Sequence, residues 1–282
     1  MSSQLNLDQA AAQICDQGKF EFRGLLGKGA FKSVYLAVHQ GYPFALKIAV
    51  VAGAADRLLR EAAALKECSH PSIAKLLQAF SYAYGPHQLW VVYEDYLDGG
   101  TLEARLKNKT LATGEVRHIG GRLAEALGHL DDKRLVHRDI KPANIMFRGG
   151  GEVDPILTDF GIVRMLNQPT LTQAFMQMGP GTPAYAAPEQ LTNDKSLIDW
   201  RTDQFDLGIV LAECLLGHHP FMTQGKSIND AIHSVAARQE LPAVNAQRLR
   251  DLGFDSLTRA LRAWPIDRYR KPVEFADALM HT

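Results

Sequence analysis

Cysteine is scarce in this 282-residue sequence: Cys15, Cys68 and Cys214 are widely spaced and form no Cys-x-x-Cys pair. A disulfide framework or a structural zinc site is therefore not expected, and the usage fits a reducing, cytosolic setting. An excess of charge of one sign is also missing. Basic and acidic residues number 31 each, so the formal net charge is zero, and no basic stripe points to nucleic acid or anionic lipid. No apolar run reaches the ~18 residues of a membrane span. Leu207–Leu216 comes nearest, but it is short and interrupted by Glu213, and it reads as a buried helix. Met1 to Gln13 lack the basic-then-apolar order of a signal peptide. A Walker A loop is absent too: Gly225-Lys226-Ser227 has its tail, but Pro220 stands where the first glycine belongs.

Apolar residues make up 46% of the chain, enough to bury a sizeable core. Asp8 to Gln17 can form a short helix. Phe20–Gly27, Lys32–His39, Tyr42–Val50, Ile73–Tyr82 and Gln88–Tyr93 read as strands. Asp56–Glu67 has helical spacing, with Leu58, Leu59, Ala62 and Leu65 as its apolar stripe and His70-Pro71 as its stop. The character then changes. Leu102–Leu106, Gly114–Leu130, Asp203–Leu216, Ser227–Ala237, Arg248–Ala263 and Val273–Met280 read as helices. Short strands are expected near Leu135–Val136, Ile145–Phe147 and Ile156–Leu157. The pattern is α+β: an N-terminal extension (1–19), a small β-rich lobe (20–95) and a larger, mainly helical lobe (96–282). The join falls at Tyr93 to Gly100, ending in Asp-Gly-Gly, as a hinge might.

Gly27-Lys28-Gly29-Ala30-Phe31-Lys32-Ser33-Val34 lies between two strands. Glycines let backbone N–H groups approach phosphate oxygens without a Cβ in the way, although a lone Gly-x-Gly also suits an ordinary hairpin turn. Lys47 sits in the third strand among Phe44, Ala45, Ile48 and Val50, where its ammonium is costly to desolvate unless an anion meets it. An ion pair with Glu61, in the following helix, would hold Lys47 toward the glycine turn, although either residue alone also reads as a solvated charge. The strongest signal is His137-Arg138-Asp139-Ile140-Lys141-Pro142-Ala143-Asn144, followed fifteen residues later by Asp159-Phe160-Gly161. Asp139 can accept a hydroxyl proton, Lys141 can neutralise charge on a moving phosphoryl group, and Asn144 and Asp159 can offer oxygens to Mg²⁺.

With these motifs in this order, the sequence resembles the eukaryotic-type protein kinase family, over about residues 20 to 278. The resemblance implies a bilobal protein-kinase fold that uses ATP and Mg²⁺ on protein substrates. By position, it implies that Gly27, Gly29 and Val34 cover the nucleotide and that Ala45 and Met146 sandwich the adenine. Lys47 would hold the α/β-phosphates and Glu61 would hold Lys47. Asp139 would be the base, Lys141 would touch the γ-phosphate, and Asn144 and Asp159 would bind Mg²⁺. Gly181-Thr182-Pro183-Ala184-Tyr185-Ala186-Ala187-Pro188-Glu189 resembles the substrate-docking segment. Glu189 would pair with Arg268, and Asp203 would brace the catalytic loop. Lys141 two places after Asp139 resembles the serine/threonine branch, and the phrasing resembles bacterial members.

Two departures stand out. Lys32 replaces the loop's third glycine, either as a solvent-facing residue or as a second cation near the phosphates. The step from Lys47 to Glu61 is also short for the family. The resemblance further implies autophosphorylation, and Thr170 and Thr172 are the candidate sites, with Arg138 to receive the phosphate. A homodimer through the small lobe follows from the resemblance alone. A nucleotide-binding scaffold that has lost catalysis is the alternative, disfavoured because Lys47, Glu61, Asp139, Asn144 and Asp159 are all present. His218 and His219 have no metal-ligand spacing and read as loop residues.

Overall fold

A computed structural model describes residues 5–29, 32–51, 55–107, 109–149, 151, 153–160 and 183–281. Of residues 55–57, 60 and 61 only the backbone is described. The chain forms two compact units. Among the described residues the first comprises 5–69 and 74–97, and the second 70–73 and 98–281.

The first unit opens with helix α1 (Leu7–Gly18). Asn6 caps it, its side-chain oxygen accepting from the N–H groups of Asp8 and Gln9 (3.0 and 3.2 Å). That satisfies donors which a first helical turn leaves without an intrahelical partner. Five antiparallel strands follow: β1 (Glu21–Lys28), β2 (Lys32–His39), β3 (Tyr42–Val50), β4 (Leu76–Tyr84) and β5 (His87–Asp95). They form one sheet in the order β1-β2-β3-β5-β4.

Alternation along the strands gives the sheet two faces. Tyr35, Ala37, Phe44, Leu46, Ile48, Leu89, Val91 and Tyr93 point one way, and α1 covers them with Ala10, Ala11, Ile14 and Cys15. The Tyr35 hydroxyl donates to Asp8 (2.8 Å) and Gln13 donates to the Tyr82 hydroxyl (2.8 Å). The N-terminal extension is therefore part of this unit's core. The other face carries Val34, Ala45, Lys47, Val92 and Glu94, placed there by the pairings Val34–Lys47, Lys47–Val92 and Ala45–Glu94.

Helix α2 (Ala55–Lys66) packs against β4. It buries Leu58, Ala62 and Leu65, whereas Leu59 is exposed and not part of the stripe. It stops at Lys66, ahead of the expected His70-Pro71. β4 begins at Leu76 rather than Ile73, because Ile73 belongs to the second unit and bridges Leu157 there.

The second unit contains α3 (Leu102–Leu106), α4 (Thr113–Asp132), α5 (Pro188–Leu191), α6 (Trp200–Leu216), α7 (Ile228–Ala236), α8 (Ala243–Asp251), α9 (Asp255–Ala260) and α10 (Pro272–Met280). A two-stranded ribbon pairs β6 (Ile145–Met146) with β7 (Ile156–Leu157). In α6 every residue except Arg201 and Glu213 is buried. A helix buried nearly all round belongs at the centre of a unit, and α4, α8 and α9 pack on it.

The helix expected over Arg248–Ala263 is two helices. Gly253 adopts φ +77°, a left-handed turn that costs glycine little. The turn lets Phe254 enter the core fully buried. Leu135–Val136 forms no strand, because the left-handed residues Arg134 (φ +56°) and Arg138 (φ +65°) on either side leave no extended run to pair. Asp98-Gly99-Gly100 is bonded to the end of β6. Gly99 N–H donates to Phe147 O (2.9 Å) and Phe147 N–H to Gly100 O (3.0 Å). A Cβ on Gly99 would lie 2.2 Å from Arg148 O, so only glycine fits.

No helix among the described residues is long and apolar enough to cross a membrane. Replacing Ile14 with alanine tests the role of α1. It removes a buried side chain from the α1–sheet core and should cost about 2–4 kcal/mol of first-unit stability, read as a lowered denaturation midpoint.

Candidate active site

The second unit assembles the chemistry around one loop. His137 and Arg138 N–H groups each donate to a carboxylate oxygen of Asp203, both at 2.7 Å. Burial pushes the Asp203 carboxyl up to about 7, against the opposing pull of those two N–H groups. His137 is buried, with its Nε2–H directed at Thr158 O (3.1 Å) and its Nδ1 accepting from Asp139 N (3.2 Å). Desolvation lowers its pKa to about 4, so the ring is neutral and structural.

Asp139 then projects its carboxylate between two donors. Lys141 Nζ lies 3.0 Å from Oδ2 and 3.2 Å from Oδ1, and Asn144 Nδ2 lies 3.0 Å from Oδ2. Asn144 Nδ2 also donates to Asp139 O (2.8 Å). With its amide nitrogen committed twice, Asn144 has its carbonyl oxygen as its remaining side-chain polar group, an acceptor of the kind that can ligate a cation. Asp159 follows β7 at φ +62°, and the next ring, Phe160, stacks 4.7 Å from His137. Thr158 N–H donates to Asn144 O (3.0 Å), tying the Asp159 strand to the Asn144 turn. A carboxylate and an amide oxygen are a donor set suited to Mg²⁺. Met146 lies half-buried in β6.

The docking segment is held from several sides. Glu189 and Arg268 form a fully buried two-pronged pair (2.7 and 3.1 Å). The remaining Arg268 N–H groups meet the carbonyls of Arg201, Arg262 and Ala263. Three supports in this region went unassigned in the sequence reading. Gln190 donates to Arg138 O and accepts from Ala187 N–H, both at 2.9 Å, joining α5 to the catalytic loop. The Tyr185 hydroxyl donates to Glu213 (2.7 Å), and burial raises the Glu213 pKa. His219 is no plain loop residue: it is buried, with Nε2–H directed at Ala184 O (2.7 Å).

In the first unit, Gly27 and Gly29 flank the β1–β2 turn, where Gly29 N–H donates to Lys32 O (2.8 Å). Lys32 opens β2 half-buried, and Val34 and Ala45 lie on the sheet face that carries Lys47. The described carboxylate partner of Lys47 is Glu94 on β5. The Glu61 side chain, and all of Thr170, Thr172 and Thr182, lie outside the described residues.

A family model for the protein kinase domain matches residues 20–264. The chain belongs to the protein kinase family. It is similar to the serine/threonine-protein kinase PknF of Mycobacterium tuberculosis, at 34% identity over 91% of this chain and 54% of PknF. It is also similar to PknJ of that organism (31%, covering 92% and 44%) and to pkn2 of Myxococcus xanthus (30%, covering 93% and 32%), both serine/threonine-protein kinases. This kinase domain spans about half or less of the length of these relatives. Rad53 1-466 in complex with AMP-PNP shares the fold, with a TM-score of 0.69 at 21% identity over 96% of this chain and 70% of that one.

The buried histidines generate a pH prediction. His219, with its ordinary value of 6.5, is lowered to about 4 by burial. Between those values the unfolded chain binds more protons than the folded one, so stability falls as pH drops through 6.5 toward 4. Lowering the pH from 7.5 to 5 should remove about 1–2 kcal/mol through His219. His219→Gln, which keeps an N–H donor without the charge change, should flatten the plot of melting temperature against pH. An unchanged slope would show that His219 is not the buried neutral group described.

Proposed function

We propose that this chain is an ATP-dependent protein serine/threonine kinase, acting on protein hydroxyls. The observation that carries the reading is the Asp139 carboxylate, held between Lys141 Nζ and Asn144 Nδ2 on a loop anchored to Asp203. Bound Mg-ATP supplies the γ-phosphoryl group and the neutralising charge of the metal. Asp139 orients the substrate hydroxyl and takes its proton as the oxygen attacks. Lys141, already beside that carboxylate, offers positive charge to the phosphoryl oxygens. Asn144 and Asp159 supply the oxygens that hold Mg²⁺. Lys47 holds the α/β-phosphates, Gly27, Gly29, Lys32 and Val34 border the nucleotide, and Ala45 and Met146 face its base. In this reading Glu61 is a second anchor for Lys47. The serine/threonine assignment is supported by the Lys141 position and by the names of the relatives.

Cys15, Cys68 and Cys214 are all buried, and such scarce, widely spaced thiols suit a reducing, cytoplasmic setting.

Asp139→Asn keeps the shape but cannot take a proton. It should retain Mg-ATP binding while losing transfer by ~10²-fold or more. Radiolabel transfer to a generic protein substrate checks this, and wild-type activity in the variant would remove Asp139 from the base role. An inactive wild-type chain that still binds Mg-ATP would favour the scaffold alternative.

We propose also that Thr170 or Thr172 is autophosphorylated and that the phosphate raises activity. A phosphothreonine brings roughly −1.5 to −2 charge and three acceptor oxygens, which Arg138 is suited to receive. Intact-mass analysis after ATP treatment should show added phosphate, and the Thr170→Ala/Thr172→Ala variant should lose both phosphate and stimulation. Full activity in that variant would rule the idea out.

A further inference from the structure

The Lys47 ammonium stands on a buried sheet face. Its side chain is only 13% exposed and that of Glu94, its partner, only 6%. Charges withdrawn from water this far are tolerated when they are paired. The pairing follows from the sheet itself. Ala45 stands across from Glu94 and Lys47 across from Val92, so Glu94 is the diagonal neighbour of Lys47 on one face. A carboxylate on a hydrogen-bonded neighbouring strand is placed by the ladder's register and needs no separate element to bring it there.

Resting on the kinase reading above, we propose that Glu94 is a positioning residue that holds the Lys47 ammonium on the sheet face from which it meets the nucleotide phosphates. Lysine carries three donors on a point charge, so a bond to Glu94 leaves capacity for phosphate oxygens. In that reading, loosening Lys47 weakens its hold on the nucleotide phosphates, so nucleotide binding is the direct readout.

The experiment is a double-mutant cycle on the full chain: wild type, Glu94→Gln, Lys47→Met and both together. Mg-ATP dissociation constants come from calorimetry, and KM for ATP, KM for a generic protein substrate and kcat come from steady-state assays. Glu94→Gln, close in shape but uncharged, should raise Kd and KM for ATP roughly tenfold, with the protein-substrate KM unchanged. The double variant should bind no worse than Lys47→Met alone. An unchanged or tighter Kd, or additive effects, would overturn the proposal. A smaller folded fraction shows instead as a lower calorimetric stoichiometry at unchanged Kd, and that result would also overturn it. If Glu94→Gln does not fold, Glu94→Asp replaces it, and there an unchanged ATP affinity is the overturning result. A wild-type chain that binds Mg-ATP without transferring phosphate defeats the kinase reading while the binding cycle still decides the role of Glu94. Absence of Mg-ATP binding in wild type overturns both.

Discussion

The catalytic loop runs through backbone conformations that neither helix nor strand can satisfy, with Arg134 and Arg138 both left-handed. Its buried N–H groups must find acceptors elsewhere. Asp203 provides them, one oxygen to His137 N–H and the other to Arg138 N–H. Because α6 is buried on nearly every side, the carboxylate is held by a helix with little freedom to shift. Through Asp203 that rigidity passes to the loop, and so to the Asp139 carboxylate with its two flanking donors.

The docking segment depends on the same helix. Thr202, beside Asp203, donates to Glu189 (2.9 Å), and Glu213 near the other end of α6 receives the Tyr185 hydroxyl. His219, just past the helix, holds Ala184 O, and Gln190 closes the circuit by reaching Arg138 O. Loop, docking segment and α6 are thus joined by two bonds between side chains and two from side chains to backbone carbonyls. Burying these polar groups is costly, and the cost is offset only because each finds its partner.

Much of this was legible in the sequence because the chemistry sits in contiguous runs. His137–Asn144 and Asp159-Phe160 could be assigned before any contact was known, and the Glu189–Arg268 pair and the Asp203 brace followed from the resemblance. Four of the five strands were legible to within two residues of their bounds, whereas β4 starts three residues after the Ile73 where its composition places it. What escaped is non-local. Glu94 could be matched to Lys47 only by knowing how β3 and β5 register, and nothing in one strand's sequence sets its neighbour's offset. His219 looked like a loop residue because its partner is a backbone carbonyl, which has no sequence signature. The apolar spacing of Arg248–Ala263 continues through Gly253, so the helix break depended on one dihedral angle. Ile73 had strand composition but bridges Leu157 in the other unit.

The two buried ion pairs differ in what they can do. Arg268 has all five of its N–H groups engaged, by Glu189 and by three carbonyls, in a planar fork that leaves nothing for a ligand. Breaking that pair would strand a buried charge, at about 3–5 kcal/mol, and its role is to hold the docking segment in place. Lys47 with Glu94 is the same kind of pairing made with a different cation. An ammonium on a flexible stem can turn among partners, and a carboxylate beside it offsets its charge. Arginine therefore suits a contact that must stay unchanged, and lysine one that can exchange partners.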